Sequence, residues 1–133
     1  MINTVAYIHI ENKKLLLVKP IKHNVFYMIG GKPEIDEEES IALIREVEEE
    51  LSLKLIDSSL SFFDKFEGQA YGKPDGTLVN ISCYIGIHEG VIKVKNEIET
   101  YKYFTYNEYI NMDEQAPVVM LILDNLKAKG LII

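Results

Sequence analysis

A chain of 133 residues is the length of one ordinary domain, and with 47% hydrophobic and 26% charged residues it is excluded from the disordered, collagen-like and coiled-coil classes. A net charge of −7, from 14 basic and 21 acidic residues, argues against duplex nucleic acid as a partner. Apolar runs are too short for a membrane span, the N-terminus lacks the pattern of a signal peptide, and Cys83 as the only cysteine points to a reducing, cytoplasmic setting.

No repeat, low-complexity tract or linker interrupts the chain, so residues 1–133 read as a single domain. Thr4 to Glu11, rich in Val, Ile and Tyr, predicts a first strand, and Asn12-Lys13 a tight turn. Lys14–Lys19 predicts a second strand, whose apolar run Leu15–Val18 implies burial on both faces. After a loop at Pro20–Asn24, Val25–Ile29 predicts a short strand ending at Gly30-Gly31. Glu38–Leu51 is the clearest helix. Leu60–Glu67 and Leu78–His88 predict strands joined through the turn Lys73-Pro74-Asp75-Gly76, with Gly90 ending the second. Tyr101–Tyr106 predicts a last strand and Asn107–Met112 a short helix. Val118–Lys129 predicts a C-terminal helix, with Pro117 at its first turn and Gly130 past its end. Mixed strands with two main helices indicate an α/β or α+β sandwich.

The charge is concentrated. From Glu34 to Glu50 there are nine carboxylates and one base, Arg45, so this window carries −8 and the rest of the chain +1. Arg45 is also the only arginine. On a helical projection Ile41, Leu43, Ile44, Val47 and Leu51 share an arc of about 160°, and Glu46, Glu49 and Glu50 a separate arc of about 100°. One face therefore packs on a core and the other gathers three carboxylates. Like charges at these spacings destabilise a helix by roughly 0.2–0.5 kcal/mol per pair, and no lysine lies between Arg45 and Lys54 to offset them. A divalent cation would, since Mg²⁺ takes oxygen ligands and shares its shell with phosphate oxygens. A solvated acidic face is the competing reading.

From Gly31 the chain runs GKPEIDEEESIALIREVEEELSL. Glycine, Glu37, Arg45-Glu46-Val47, Glu49-Glu50 and Leu53 fall at the spacing of the Nudix box, Gx5Ex7REUxEExGU, and the segment closely resembles it. Ser52 stands where the box has glycine. The resemblance implies a Nudix-type α/β/α sandwich with a mixed β-sheet. It implies hydrolysis of a diphosphate linked to a nucleoside, with Mg²⁺ as cofactor and Mn²⁺ as the alternative cation; a nucleoside triphosphate or modified nucleotide (a house-cleaning role) is the expected substrate. Glu46, Glu49 and Glu50 match the metal-binding and catalytic glutamates, and the Gly30 carbonyl a further metal ligand. Glu37 and Arg45 match the pair that holds loop to helix, which accounts for the lone arginine: a planar guanidinium grips carboxylates bidentately and lysine does not. Serine for glycine just past the helix implies a cost of roughly 1 kcal/mol without loss of a ligand.

Glu46 is the first choice for the general base, Glu97 a candidate outside the box, and Glu99 its alternate. Lys19, Lys22 and His23 precede the box and are candidate phosphate contacts. Tyr27 is a candidate substrate contact, and Tyr71, Tyr101 and Tyr103 candidate stacking groups. Gln115 resembles the amide with which enzymes acting on oxidised purine nucleotides read the base. His9 and His88 lack metal-ligand spacing and read as structural, and Cys83 reads as a buried thiol. The expected partner is a small nucleotide, with the protein a monomer or homodimer. The alternative to an enzyme is a Nudix-like domain that binds a nucleotide or ADP-ribose-type ligand without turnover.

Overall fold

The structure, a computed structural model, describes residues 1–133. Nine strands are present: β1 Ile2–Tyr7, β2 Ile10–Glu11, β3 Lys14–Pro20, β4 Ile29–Gly31, β5 Lys54–Leu55, β6 Ser61–Gln69, β7 Leu78–Ile85, β8 His88–Glu89 and β9 Ile98–Phe104. Three helices accompany them: α1 Glu39–Leu51, α2 Tyr106–Ile110 and α3 Pro117–Ala128. The main sheet has the order β4-β1-β7-β6, with β1 and β7 parallel and the other pairs antiparallel. A second sheet has the order β2-β3-β9, and β5 and β8 form a two-stranded ribbon. No helix is long and apolar enough to cross a membrane.

Successive side chains of a strand point to opposite faces, and both central strands use this fully. In β1, Val5 and Tyr7 face α1, whereas Ala6 joins the cluster under α3. In β3, Leu16 and Val18 turn toward α1, and Leu15 and Leu17 toward α3. All four residues of this run are buried, as its unbroken hydrophobicity requires. The sheets thus separate two apolar layers, one closed by Leu43, Val47 and Leu51 and the other by Val119, Ile122, Leu123 and Leu126. This is the α/β/α sandwich expected.

Several expectations change in detail. The first strand breaks after Tyr7: the Ile8 N–H still donates to the Tyr84 carbonyl, whereas the His9 carbonyl accepts from Leu16, so the chain passes here from one sheet to the other. The strand expected over Val25–Ile29 is instead Ile29–Gly31, with both glycines inside it. A Cβ on Gly30 would lie 1.9 Å from the Val5 carbonyl oxygen, so this strand approaches β1 more closely than any side chain permits. Tyr27 makes only an isolated two-bond bridge to Val18. The strand expected to reach His88 ends at Ile85, and His88–Glu89 pairs with β5 instead. On α1, Ile41 is 53% exposed and Ala42 is buried. The helix is seated on Leu43, Val47 and Leu51, which leaves Ile41 at the rim of the contact.

Candidate functional site

The acidic helix is locked to the end of β4 from both sides. The Gly30 N–H donates to Glu50 Oε1 at 3.0 Å. A Cβ on Gly31 would lie 2.4 Å from the Glu46 carboxyl, so glycine is what allows this carboxylate against the strand. The loop between them turns at Asp36, where φ is 64°, and closes when Glu37 accepts from the Glu34 N–H at 2.8 Å.

Arg45 grips Glu37 with two parallel bonds, Nε to Oε2 at 3.1 Å and Nη2 to Oε1 at 2.9 Å. The same guanidinium donates to Glu46 Oε1 at 2.8 Å and to the Lys32 carbonyl at 3.3 Å, and lies 3.6 Å from Glu49. One planar cation therefore spans loop, helix and two of the three clustered carboxylates. Its hydrogen bonds hold the Glu37 carboxyl below the usual range, and Glu37 in turn raises the proton affinity of Arg45.

Past the helix, Ser52 adopts φ 62° and ψ 22°, the left-handed conformation that glycine would favour. Its N–H caps the Glu48 carbonyl, and its hydroxyl donates to the Lys93 carbonyl at 3.0 Å. That bond offsets part of the backbone cost and fastens residues 93–97 beside the helix end. Further bonds reinforce it: Lys93 N–H to the Leu51 carbonyl at 2.9 Å and Lys95 N–H to the Glu50 carbonyl at 3.2 Å.

Glu97 is thereby carried to the acidic helix. Glu46, Glu49, Glu50, Asn96, Glu97 and Ile98 line one cavity of about 570 Å³. Burial pushes the Glu50 carboxyl up to about 8, with Glu46, Glu49 and Glu97 adding repulsion and the Gly30 N–H opposing the rise. Burial also raises Glu46, against the pull of Arg45. The cavity holds four carboxylates and no lysine. Hard oxygen donors around under-neutralised charge suit a divalent cation such as Mg²⁺ or Mn²⁺. The arrangement is open: no three acidic, histidine or cysteine side chains converge to enclose an ion.

A second cavity of about 290 Å³ adjoins the first and is mostly apolar. Val18, Tyr27, Met28, Ala70, Ile81 and Val118 are among its walls, with Tyr71 and Lys73 on the lining as well. Glu50 and Ile98 line both cavities. His23, Tyr27 and Tyr71 meet edge to face, with ring centroids 5.6–6.1 Å apart, so three of the sequence candidates come together.

Other candidates are placed elsewhere. Lys19 pairs with Glu99 at 3.1 Å, and both lie outside the two cavities, as does Lys22. The Gln115 amide donates to the carbonyls of Tyr109, Ile110 and Met112, and its neighbours Ala116 and Val118 reach the apolar slot instead. Tyr103 donates to Glu11, and Tyr101 is 40% exposed on the same strand. His9 and His88 pack edge to face, His9 bonded to Glu11 and His88 to the Tyr7 hydroxyl. Burial pushes the Cys83 thiol up to about 12, away from the reactive thiolate. The sequence reading missed Asn96 and Ile98. A signal for Asn96 was present, since asparagine in a loop tolerates the left-handed region, and φ is 58° there.

The description "NUDIX domain" belongs to the family model that matches residues 1–122. No curated protein matches the chain in sequence. Among solved structures, the MutT protein from Methanosarcina mazei Go1 is similar with a TM-score of 0.77 at 16% identity, over 97% of this chain and 94% of that one. The E. coli ORF135 protein gives 0.75 at 22% identity, over 98% and 91%. A bifunctional NMN adenylyltransferase/ADP ribose pyrophosphatase from Francisella tularensis, complexed with AMP and a Mn ion, gives 0.67 at 21% identity, over 96% of this chain and 41% of that one. At these identities the likenesses establish the fold.

Proposed function

The chain belongs to the NUDIX domain family, and on that premise we propose that it is a Mg²⁺-dependent pyrophosphohydrolase acting on a nucleoside triphosphate or modified nucleotide. The observation that carries this is the pair of adjoining cavities with Glu50 and Ile98 common to both. An apolar slot beside a carboxylate-lined cavity is matched to a molecule with a flat, weakly polar base at one end and a chain of phosphates at the other.

Glu46, Glu49 and Glu50, with the Gly30 carbonyl, would hold the cation, and Mn²⁺ would substitute for Mg²⁺. When bound, the cation supplies charge neutralisation on the diphosphate oxygens and acidifies a water. The other steps belong to the chain. Arg45 fixes Glu46 and steadies Glu49 through its grip on Glu37. Glu46 is the first candidate to take the proton of the attacking water, with Glu97 the second across the same cavity. Tyr27 and Tyr71 flank the base in the slot, with His23 packed against both.

The test is phosphate and pyrophosphate release from a panel of nucleoside triphosphates, modified nucleotides and nucleoside diphosphate conjugates, with and without Mg²⁺. Turnover of at least one substrate, lost in Glu49→Gln and Glu50→Gln, is expected. Activity unchanged by both substitutions would sink the assignment. Tight nucleotide binding without turnover would replace it with a sensing role.

A further inference from the structure

Asn96 joins the acidic helix to the loop that carries Glu97, and neither the fold nor the chemistry above makes use of its side chain. Its Nδ2 donates to the Glu49 carbonyl at 2.8 Å. That carbonyl is one of the last four of α1, which a helix leaves without an internal partner. The Asn96 backbone lies at φ 58°, a conformation asparagine adopts more readily than most residues with a side chain. It sits in a turn closed by the Ile98 N–H donating to the Lys95 carbonyl at 3.3 Å.

Glu97 is the next residue, and its own carbonyl accepts from the Ile21 N–H at 2.8 Å. The segment around Glu97 is therefore tied on one side to α1, through Asn96, and on the other to the loop after β3. A turn asparagine in a plain surface loop has no need of a partner 47 positions away in sequence. Here that partner is the backbone of a residue whose carboxylate lines the same cavity as Asn96 and Glu97.

We propose that Asn96 is a positioning residue: its amide, bonded to the Glu49 carbonyl, sets the placement of Glu97 opposite the helix carboxylates and so tunes divalent-cation binding in that cavity. This rests on the reading that Glu97 serves the site. Asparagine suits the task because it supplies a donor to the helix end, tolerates the left-handed backbone and adds no further negative charge.

The experiment is calorimetric titration of Mn²⁺ into the full chain without nucleotide. It uses wild type, Asn96→Gly, Asn96→Ala, Glu97→Gln and the double variant Asn96→Gly/Glu97→Gln, with thermal unfolding as a check on folding. Asn96→Gly keeps access to the left-handed backbone while removing the amide, and Asn96→Ala removes the amide without the added backbone freedom of glycine. It is expected to weaken Mn²⁺ binding by about 10-fold, the lower end for loss of a supporting partner. Asn96→Ala is expected to weaken it at least as much, and Glu97→Gln comparably. With Glu97 already changed to glutamine, Asn96→Gly is expected to add less than about twofold, because the group it positions is gone. An equal loss with and without Glu97 overturns the proposal, as does unchanged Mn²⁺ affinity in Asn96→Gly. Unchanged affinity in Glu97→Gln alone removes the underlying reading of Glu97, and the single variant reports that separately.

Discussion

Glu50 is the residue at which stability and function pull hardest against each other. Its carboxyl is partly buried, faces three other carboxylates and is raised to about 8, whereas in the unfolded chain it titrates near 4.5. A carboxyl whose folded pKa is raised contributes stability that is fully present below the unfolded pKa and is lost as pH rises through the folded one. The metal-free protein therefore loses stability between about pH 4.5 and pH 8. At 1.36 kcal/mol per pH unit the ceiling on that loss is about 4 kcal/mol at pH 8. Solvent reaching the open cavity reduces the expected value to about 1–3 kcal/mol. Glu50→Gln removes the charge and keeps an oxygen to accept from the Gly30 N–H. Urea denaturation in EDTA should show Glu50→Gln more stable than wild type by about 1–3 kcal/mol at pH 8, with the gap closing toward pH 4.5. A variant no more stable than wild type at pH 8, or a gap that does not vary with pH, would refute the reasoning. Saturating Mg²⁺ should narrow the gap by stabilising wild type, since a site that binds only the folded state stabilises it by mass action.

Arg45→Lys should lower kcat by about 10–100-fold while the chain still folds, because an ammonium cannot make the two-bond grip on Glu37 and reach Glu46 at once; steady-state kinetics and circular dichroism check this. Gly31→Ala should displace the Glu46 carboxylate, which a new Cβ would meet at 2.4 Å, and so weaken Mn²⁺ binding measured by calorimetry. At Ser52, alanine should cost about 1 kcal/mol through loss of the bond to Lys93, whereas glycine, which loses the bond and gains the relaxed backbone, should fall within about 0.5 kcal/mol of wild type in denaturant titrations.

What was legible in the sequence was mostly local. Glu37, Arg45, Glu46, Glu49 and Glu50 lie within one loop and one helix, so their spacing alone predicts who meets whom, and the Glu37–Arg45 pair is present as expected. β3 was legible because four consecutive buried residues need an apolar layer on each side. The slot was not. Val18, Ile81 and Val118 line it, yet an apolar side chain in a strand or helix has the same identity whether it meets another side chain or an open cavity. β4 was misplaced because its glycines look like a terminator, whereas their lack of a side chain is what lets the strand lie against β1. Gln115 and Lys19 have suitable chemistry, but partners elsewhere in the fold engage both. The role of Asn96 depends on a carbonyl 47 positions upstream, which no local pattern reveals.

The bonds from residues 93–96 to the last carbonyls of α1 bear on how separable the acidic signature is from the rest of the protein. A helix of 13 residues is marginal alone in water, and this one carries a repulsive acidic face besides. Its C-terminal turn is completed by a segment more than forty positions further along, and its carboxylate Glu50 is met by a glycine held against β1. A synthetic peptide of residues 31–53 would therefore remain a charged coil with no organised site. Grafting the signature into another scaffold would transfer its letters without its geometry. The geometry of the acidic helix depends on contacts distant in sequence, so the chemistry of this chain is a property of the assembled whole.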